Sequence, residues 1–171
     1  GGFASYLPKE DRGDDGLMSY AELVDMITLT LGGRASEKIV FGEDEVTQGA
    51  SNDIQQVTNI ARQMVTKFGM SELGSFALEN SSGEVFLGRD LMPRSEFSEE
   101  MAAQIDNQVR NLVKACYDKA CELLEQNRTL IDRLVDLLLE KETLSGEEFR
   151  QIVSEHTELP EKELAKSGAA G

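Results

Sequence analysis

The sequence predicts a mainly α fold with one small β-hairpin and a long carboxy-terminal helical hairpin. Three observations carry that prediction. Apolar residues recur three and four positions apart over most of the 171 residues, the spacing of one face of an α-helix. Two Ser-x-x-Glu pairs, Ser19 with Glu22 and Ser145 with Glu148, stand just before apolar runs, where such a pair satisfies the free N–H groups of a helix start. Glycine or asparagine falls where several of those runs end.

Ser19 opens the first helix, whose stripe is Leu23, Met26, Ile27 and Leu31, and Gly32 and Gly33 stop it. "RASEKIVFG" reads as a second short helix or a helical turn, closed by Gly42. Glu43, Asp44 and Glu45 read as a solvated loop. In "EVTQGASNDIQQVTNIARQMVTKFG" a glycine and small polar residues open a third helix with Asp53 in its first turn. This helix buries Ile54, Val57, Ala61, Met64, Val65 and Phe68, and Gly69 is its expected C-cap.

The short apolar segments "SFALE" and "EVFLG" flank the turn residues "NSSG" and predict the β-hairpin. At Ser98 the pattern becomes helical again, with the stripe Ile105, Val109, Leu112, Val113, Cys116, Ala120 and Leu123. A break near Asn127 leads to a second run with Leu130, Ile131, Leu134, Leu137 and Leu138, so the two runs are expected to form an antiparallel hairpin. Ser145 then opens a last short helix with Phe149, Ile152 and Val153. Residues 1–158 are expected to form one domain. The remainder, 159–171, is small and polar and reads as a flexible tail.

Composition narrows the function classes. Hydrophobic residues make up 40% of the chain, enough for a real core. With 32 acidic and 17 basic side chains the formal charge is -15, which repels phosphate backbones and anionic lipid, so no nucleic-acid partner is expected. Cys116 and Cys121 point to different faces of one helix and read as free thiols. No apolar run approaches the ~20 residues that span a bilayer, which predicts a soluble chain. Its opening, "GGFASYLP", reads as the middle of a strand or loop, so the chain is expected to be a piece of a longer protein.

The residues alone give little chemistry. His156, the single histidine, lies in "SEHTELP" and reads as a solvated surface residue. No His/Cys pair has metal-ligand spacing, no glycine-rich phosphate loop precedes a helix, and no serine sits in a nucleophile elbow. On composition Asp53 reads as a first-turn carboxylate that interacts well with the helix dipole, and Glu37 as a solvated helix residue.

A resemblance adds a second reading. "LGGRASEKIVFGEDEVTQGASNDIQQVTNIARQMVTKFGMSELG", followed in order by "EVFLGRD", "FSEEMAAQIDNQVRNLVKACYDKACELL" and "LLLEKETLSGEEF", resembles the carboxy-terminal peptidase domain of the FtsH-type AAA+ zinc metalloproteases, peptidase family M41. The likeness runs from about residue 1 to 155, and details such as "VTQGASNDIQQVTNIARQMV" look like the cyanobacterial and chloroplast branch.

The resemblance implies that Asp53, in the "ASND" segment, is the third ligand of a catalytic zinc whose other ligands are the histidines of a His-Glu-x-x-His helix. It also implies that Glu37 lies near the site and orients a histidine. Two imidazoles and a carboxylate leave one zinc position for water, whose pKa falls toward ~7 on the metal. The small residues of "GASN" suit a tight backbone turn beside such a metal. Because the His-Glu-x-x-His motif does not occur among these residues, no catalytic residue is expected in this chain, and the isolated polypeptide is expected to be inert, destabilised and largely helical.

The parent protein implied is an ATP-dependent zinc metalloendopeptidase that degrades membrane and soluble proteins. It would carry an AAA+ module using ATP and Mg2+ and an amino-terminal membrane anchor, and its peptidase domains would form a homo- or hetero-hexameric ring. The expected location is a thylakoid or bacterial inner membrane, with the peptidase on the stromal or cytoplasmic side. Two other readings stand beside this: a non-catalytic helical module for oligomer or partner binding, and an acidic helical adaptor unrelated to proteases.

Overall fold

A computed structural model describes residues 17–74 and 98–157. Among them every regular element is helical: α1 Tyr20–Thr30, α2 Gly32–Phe41, α3 Ser51–Thr66, α4 Glu99–Gln126, α5 Arg128–Lys141 and α6 Gly146–His156, with single 3-10 turns at Glu43–Glu45 and Gln48–Ala50. The mainly α prediction therefore holds. The expected β-hairpin, the opening residues and the polar tail lie outside the described residues.

The helix starts follow from their caps. Ser19 Oγ accepts the Glu22 N–H at 3.3 Å while the Glu22 carboxylate accepts the Ser19 N–H at 2.8 Å. Ser145 and Glu148 repeat the exchange at 3.2 and 2.9 Å. Ser98 Oγ accepts the Met101 N–H at the start of α4. First turns are also acidic, with Glu22 in α1, Asp53 in α3, Glu99 and Glu100 in α4, and Glu147 and Glu148 in α6, where carboxylates oppose the positive end of the helix dipole.

The ends were less regular than the spacing predicts. Gly32 and Gly33 do not terminate a helical stretch; Leu31 alone separates α1 from α2, and the two glycines form the first turn of α2. Gly69 does take the left-handed backbone expected of a C-cap, at φ 63°, and the Met70 N–H returns to the Met64 carbonyl at 2.8 Å. Asn127 is the whole connection between α4 and α5; its side-chain amide donates to the Leu123 carbonyl and its own carbonyl accepts the Ile131 N–H. The expected antiparallel hairpin is therefore not formed, because a single residue that keeps helical bonds on both sides is too short to reverse the chain. At the end of α5, Glu142 occupies the left-handed region at φ 63°.

The described residues divide into two compact units. The first takes in residues 17–31, 48–74 and 98–117. Its core joins Leu23, Ile27 and Leu31 of α1 and the residue after it to Val57, Ala61, Met64 and Val65 of α3 and to Ile105, Val109 and Cys116 of α4. Ile27, Val57, Met64 and Ile105 are wholly buried. The predicted α3 stripe is trimmed at both ends, because Ile54 and Phe68 are exposed, 41% and 49%. The second unit takes in residues 32–47 and 118–157. It buries Ala35, Ala120, Leu130 and Leu137, and α5 packs against α6. Leu123, Leu138 and Phe149, expected inside, are exposed there.

Candidate functional site

Asp53 sits in the first turn of α3, in the fourth position after Gly49, and is exposed. The turn that precedes it is built from Gln48, Gly49 and Ala50, and Ala50 is buried, so the small residue anchors the helix start while the carboxylate faces outward. The N-cap residue is Ala50 and supplies no side-chain oxygen. Asp53 has no hydrogen-bond or ion-pair partner among the described residues. A carboxylate held on a helix and spending nothing on internal contacts is a suitable oxygen donor for zinc, though one such donor cannot hold the ion by itself.

Glu37 is different. It lies half-buried on α2, in the second unit, and both carboxylate oxygens are engaged. Oε1 accepts the Thr47 hydroxyl at 2.7 Å, and Oε2 accepts the Thr47 N–H at 3.3 Å. One turn earlier on the same helix, Arg34 Nη1 donates to the Thr47 carbonyl at 2.9 Å and stands 3.9 Å from Glu37 Oε2. The loop in question begins at Gly42, whose φ of 95° favours glycine, and runs through the exposed Glu43–Glu45 turn. Lys38 pairs with Glu43 at 3.6 Å. The acidic trio is thus a 3-10 turn, exposed as expected.

Asp53 and Glu37 belong to different units, and each is described within its own. Among the described residues no group of three His, Cys, Asp or Glu side chains gathers to hold a metal ion. His156 is exposed on α6 and donates from Nδ1 to the Ile152 carbonyl at 2.8 Å, a local bond that fits the surface role expected of it. Both cysteines are free. Cys116 is buried, and that burial raises its thiol pKa against a smaller lowering by the Thr28 hydroxyl. An open groove of about 610 Å3 on the first unit, lined by Tyr20, Met70, Glu72, Gln108 and Leu112 among others, includes neither predicted site residue.

Reading the residues in sequence missed Arg34 and Thr47. The three-residue spacing of Arg34 and Glu37 was visible as a helix-surface ion pair, but nothing in the local pattern shows that a residue ten positions on returns to both.

The comparisons with known proteins bear on what this arrangement serves. Residues 1–152 match the family described as Peptidase family M41. An "ATP-dependent zinc metalloprotease FtsH" of Cyanidium caldarium is 55% identical over 154 residues, covering 90% of this chain and 25% of the relative. A protein of the same name from Trieres chinensis is 50% identical over 164 residues, covering 95% and 25%. "ATP-dependent zinc metalloprotease FtsH 3" of a Synechocystis strain is 48% identical over 155 residues, covering 90% and 25%. The chain spans about a quarter of the length of these curated relatives. With a family match over nearly its whole length and relatives at about half identity, this chain belongs to peptidase family M41.

Proposed function

We propose that the chain is the later part of the peptidase domain of an ATP-dependent zinc metalloendopeptidase acting on protein substrates, and that Asp53 supplies one of its zinc ligands. The observation that carries the reading is the state of Asp53: a carboxylate fixed in the first turn of α3, exposed and without an internal partner, inside a segment that matches the family. Zinc at such a site supplies an acidified water for attack on a peptide carbonyl. This chain's contribution is an anionic oxygen held in a constant direction by the buried Ala50 turn and by α3, whose Val57, Ala61, Met64 and Val65 are locked in the core. Glu37 supports the site by orientation rather than by bonding the metal.

The finer parts of the proposal are those that the resemblance implies. Residues 1–158 belong to one peptidase domain of the parent. The histidines, the ATP- and Mg2+-using module and a membrane anchor come from elsewhere in the parent, whose subunits assemble as a hexamer with the peptidase on the stromal or cytoplasmic side. None of the described helices is long and apolar enough to cross a membrane.

The test is Asp53→Ala in the full-length protease, with zinc content and casein hydrolysis measured together. Loss of both supports the ligand role. Retention of zinc and cleavage returns Asp53 to a helix-start residue and leaves the non-catalytic module as the better reading.

A further inference from the structure

We infer that Ile54 is a positioning residue for the metal site, the apolar flank that keeps water back from the Asp53 carboxylate; this rests on the zinc-ligand reading above. Asp53 and Ile54 are consecutive residues of α3, within the first unit. Every residue from Ser51 to Gln56 is exposed, while Ala50 before them and Val57 after them are buried. Asp53 stands four residues and Ile54 three residues before Val57, so both lie one turn back on the face that the helix buries from Val57 onward. The stripe that runs inward as Val57, Ala61, Met64 and Val65 thus surfaces at its amino-terminal end as a carboxylate beside a branched hydrocarbon.

Two properties suit Ile54 to that place. Branching at Cβ leaves isoleucine one strongly preferred rotamer in a helix, so the wall it forms has a constant direction. Its carbonyl accepts the Thr58 hydroxyl at 2.8 Å, a side-chain bond added to the backbone ladder of the first turns. A carboxylate attracts a dication more strongly where less water screens the pair, and the apolar surroundings of a metal control that access.

The same helix supplies a comparison. Phe68 is exposed at the far end of the stripe, 49% against 41% for Ile54, and its neighbours in the chain are Lys67 and Gly69. It is an uncovered stripe end with no carboxylate beside it. A difference between the two positions therefore separates a flank of the metal from an apolar residue that its neighbours merely fail to cover.

The test uses the full-length protease, with zinc affinity measured by competition with a chelator and amide hydrogen exchange over residues 51–57 followed in the metal-free protein. Ile54→Ser replaces the hydrocarbon by a hydroxyl at similar helix propensity and is expected to weaken zinc about tenfold without speeding exchange. Ile54→Val keeps a branched apolar wall and is expected to bind zinc close to wild type. Phe68→Ser, the same change of character at the other end of the stripe, is expected to leave zinc affinity unchanged.

Four results overturn the inference alone while Asp53→Ala still releases zinc: unchanged affinity in Ile54→Ser, an equal loss in Phe68→Ser, a loss in Ile54→Val as large as in Ile54→Ser, or a loss in Ile54→Ser accompanied by faster exchange. The last would make Ile54 a support of the helix start and not a flank of the metal. If Asp53→Ala leaves zinc bound, the ligand reading itself fails and Ile54 has no metal to flank.

Discussion

Replacing Ile105 by alanine tests the core of the first unit most directly. Ile105 is 0% exposed and stands among Leu23, Ile27, Val57 and Ala61 of the same cluster, with contributions from α1 and α3 meeting it on α4. The substitution removes three carbon groups, about 2.4 kcal/mol at roughly 0.8 kcal/mol for each buried methylene. The cavity left behind adds to that, because α1 and α3 are tied into the same cluster and cannot close freely, so the loss should fall at about 3–4 kcal/mol within the usual span for such changes. Leu139→Ala, at 79% exposure on α5, is the control and should cost no more than about 0.5 kcal/mol. Urea denaturation of the 171-residue chain followed by far-ultraviolet circular dichroism reads both from the midpoint at constant slope. A loss below about 1 kcal/mol for Ile105→Ala, or an equal loss for Leu139→Ala, would refute the assignment of Ile105 to the core.

Three further outcomes are expected. Ser145→Ala removes the hydroxyl that accepts the Glu148 N–H and should lower stability by about 1 kcal/mol, read as a lower melting temperature. The Glu148 carboxyl is pulled from 4.5 to about 2, chiefly by the Ser145 backbone N–H and then by Lys141, so its folded value lies below its unfolded one. Its contribution is therefore full above pH 4.5 and fades as the pH falls toward about 2; carbon-detected titration should show the low midpoint, and Glu148→Gln should abolish that part of the acid sensitivity. Finally, Cys121 should react with a disulfide reagent well before Cys116, whose thiol is buried and raised in pKa; equal rates would contradict the burial of Cys116.

How much of this was legible in the residues depends on whether the determining contact is local. Ser19 with Glu22 and Ser145 with Glu148 are three apart, and both capping boxes are present as the sequence predicts. Val57, Ala61, Met64 and Val65 are a single helical stripe and are buried together. Asn127 marks the break between the long helices because its amide competes for the backbone of the preceding turn. Stripe ends were misjudged, since periodicity says which face is apolar but not where the neighbouring element stops covering it; Ile54 and Phe68 share the face of the buried α3 residues and are exposed at its two ends.

The site follows the same division. Asp53 in a first turn could be read from "GASND", and its suitability as a ligand came from the resemblance. The engagement of Glu37 by Thr47 could not, because it depends on how the Gly42–Ala50 loop folds back, which no period encodes. Glutamate at position 142 is similarly opaque: a left-handed residue at a helix end suggests glycine, and the chain uses a side chain that disfavours that conformation.

The acidic first turns have a practical consequence for anyone altering the charge of this protein. Part of the -15 excess consists of counter-charges for helix starts, in α1, α3, α4 and α6, so stripping carboxylates to bring the protein nearer neutrality would fray those starts. The last turns of α1, α3 and α4 carry no basic residue. Adding lysine there moves the charge in the same direction and reinforces the helices instead of loosening them, so the choice of which end to edit decides whether a less acidic protein is also a less stable one.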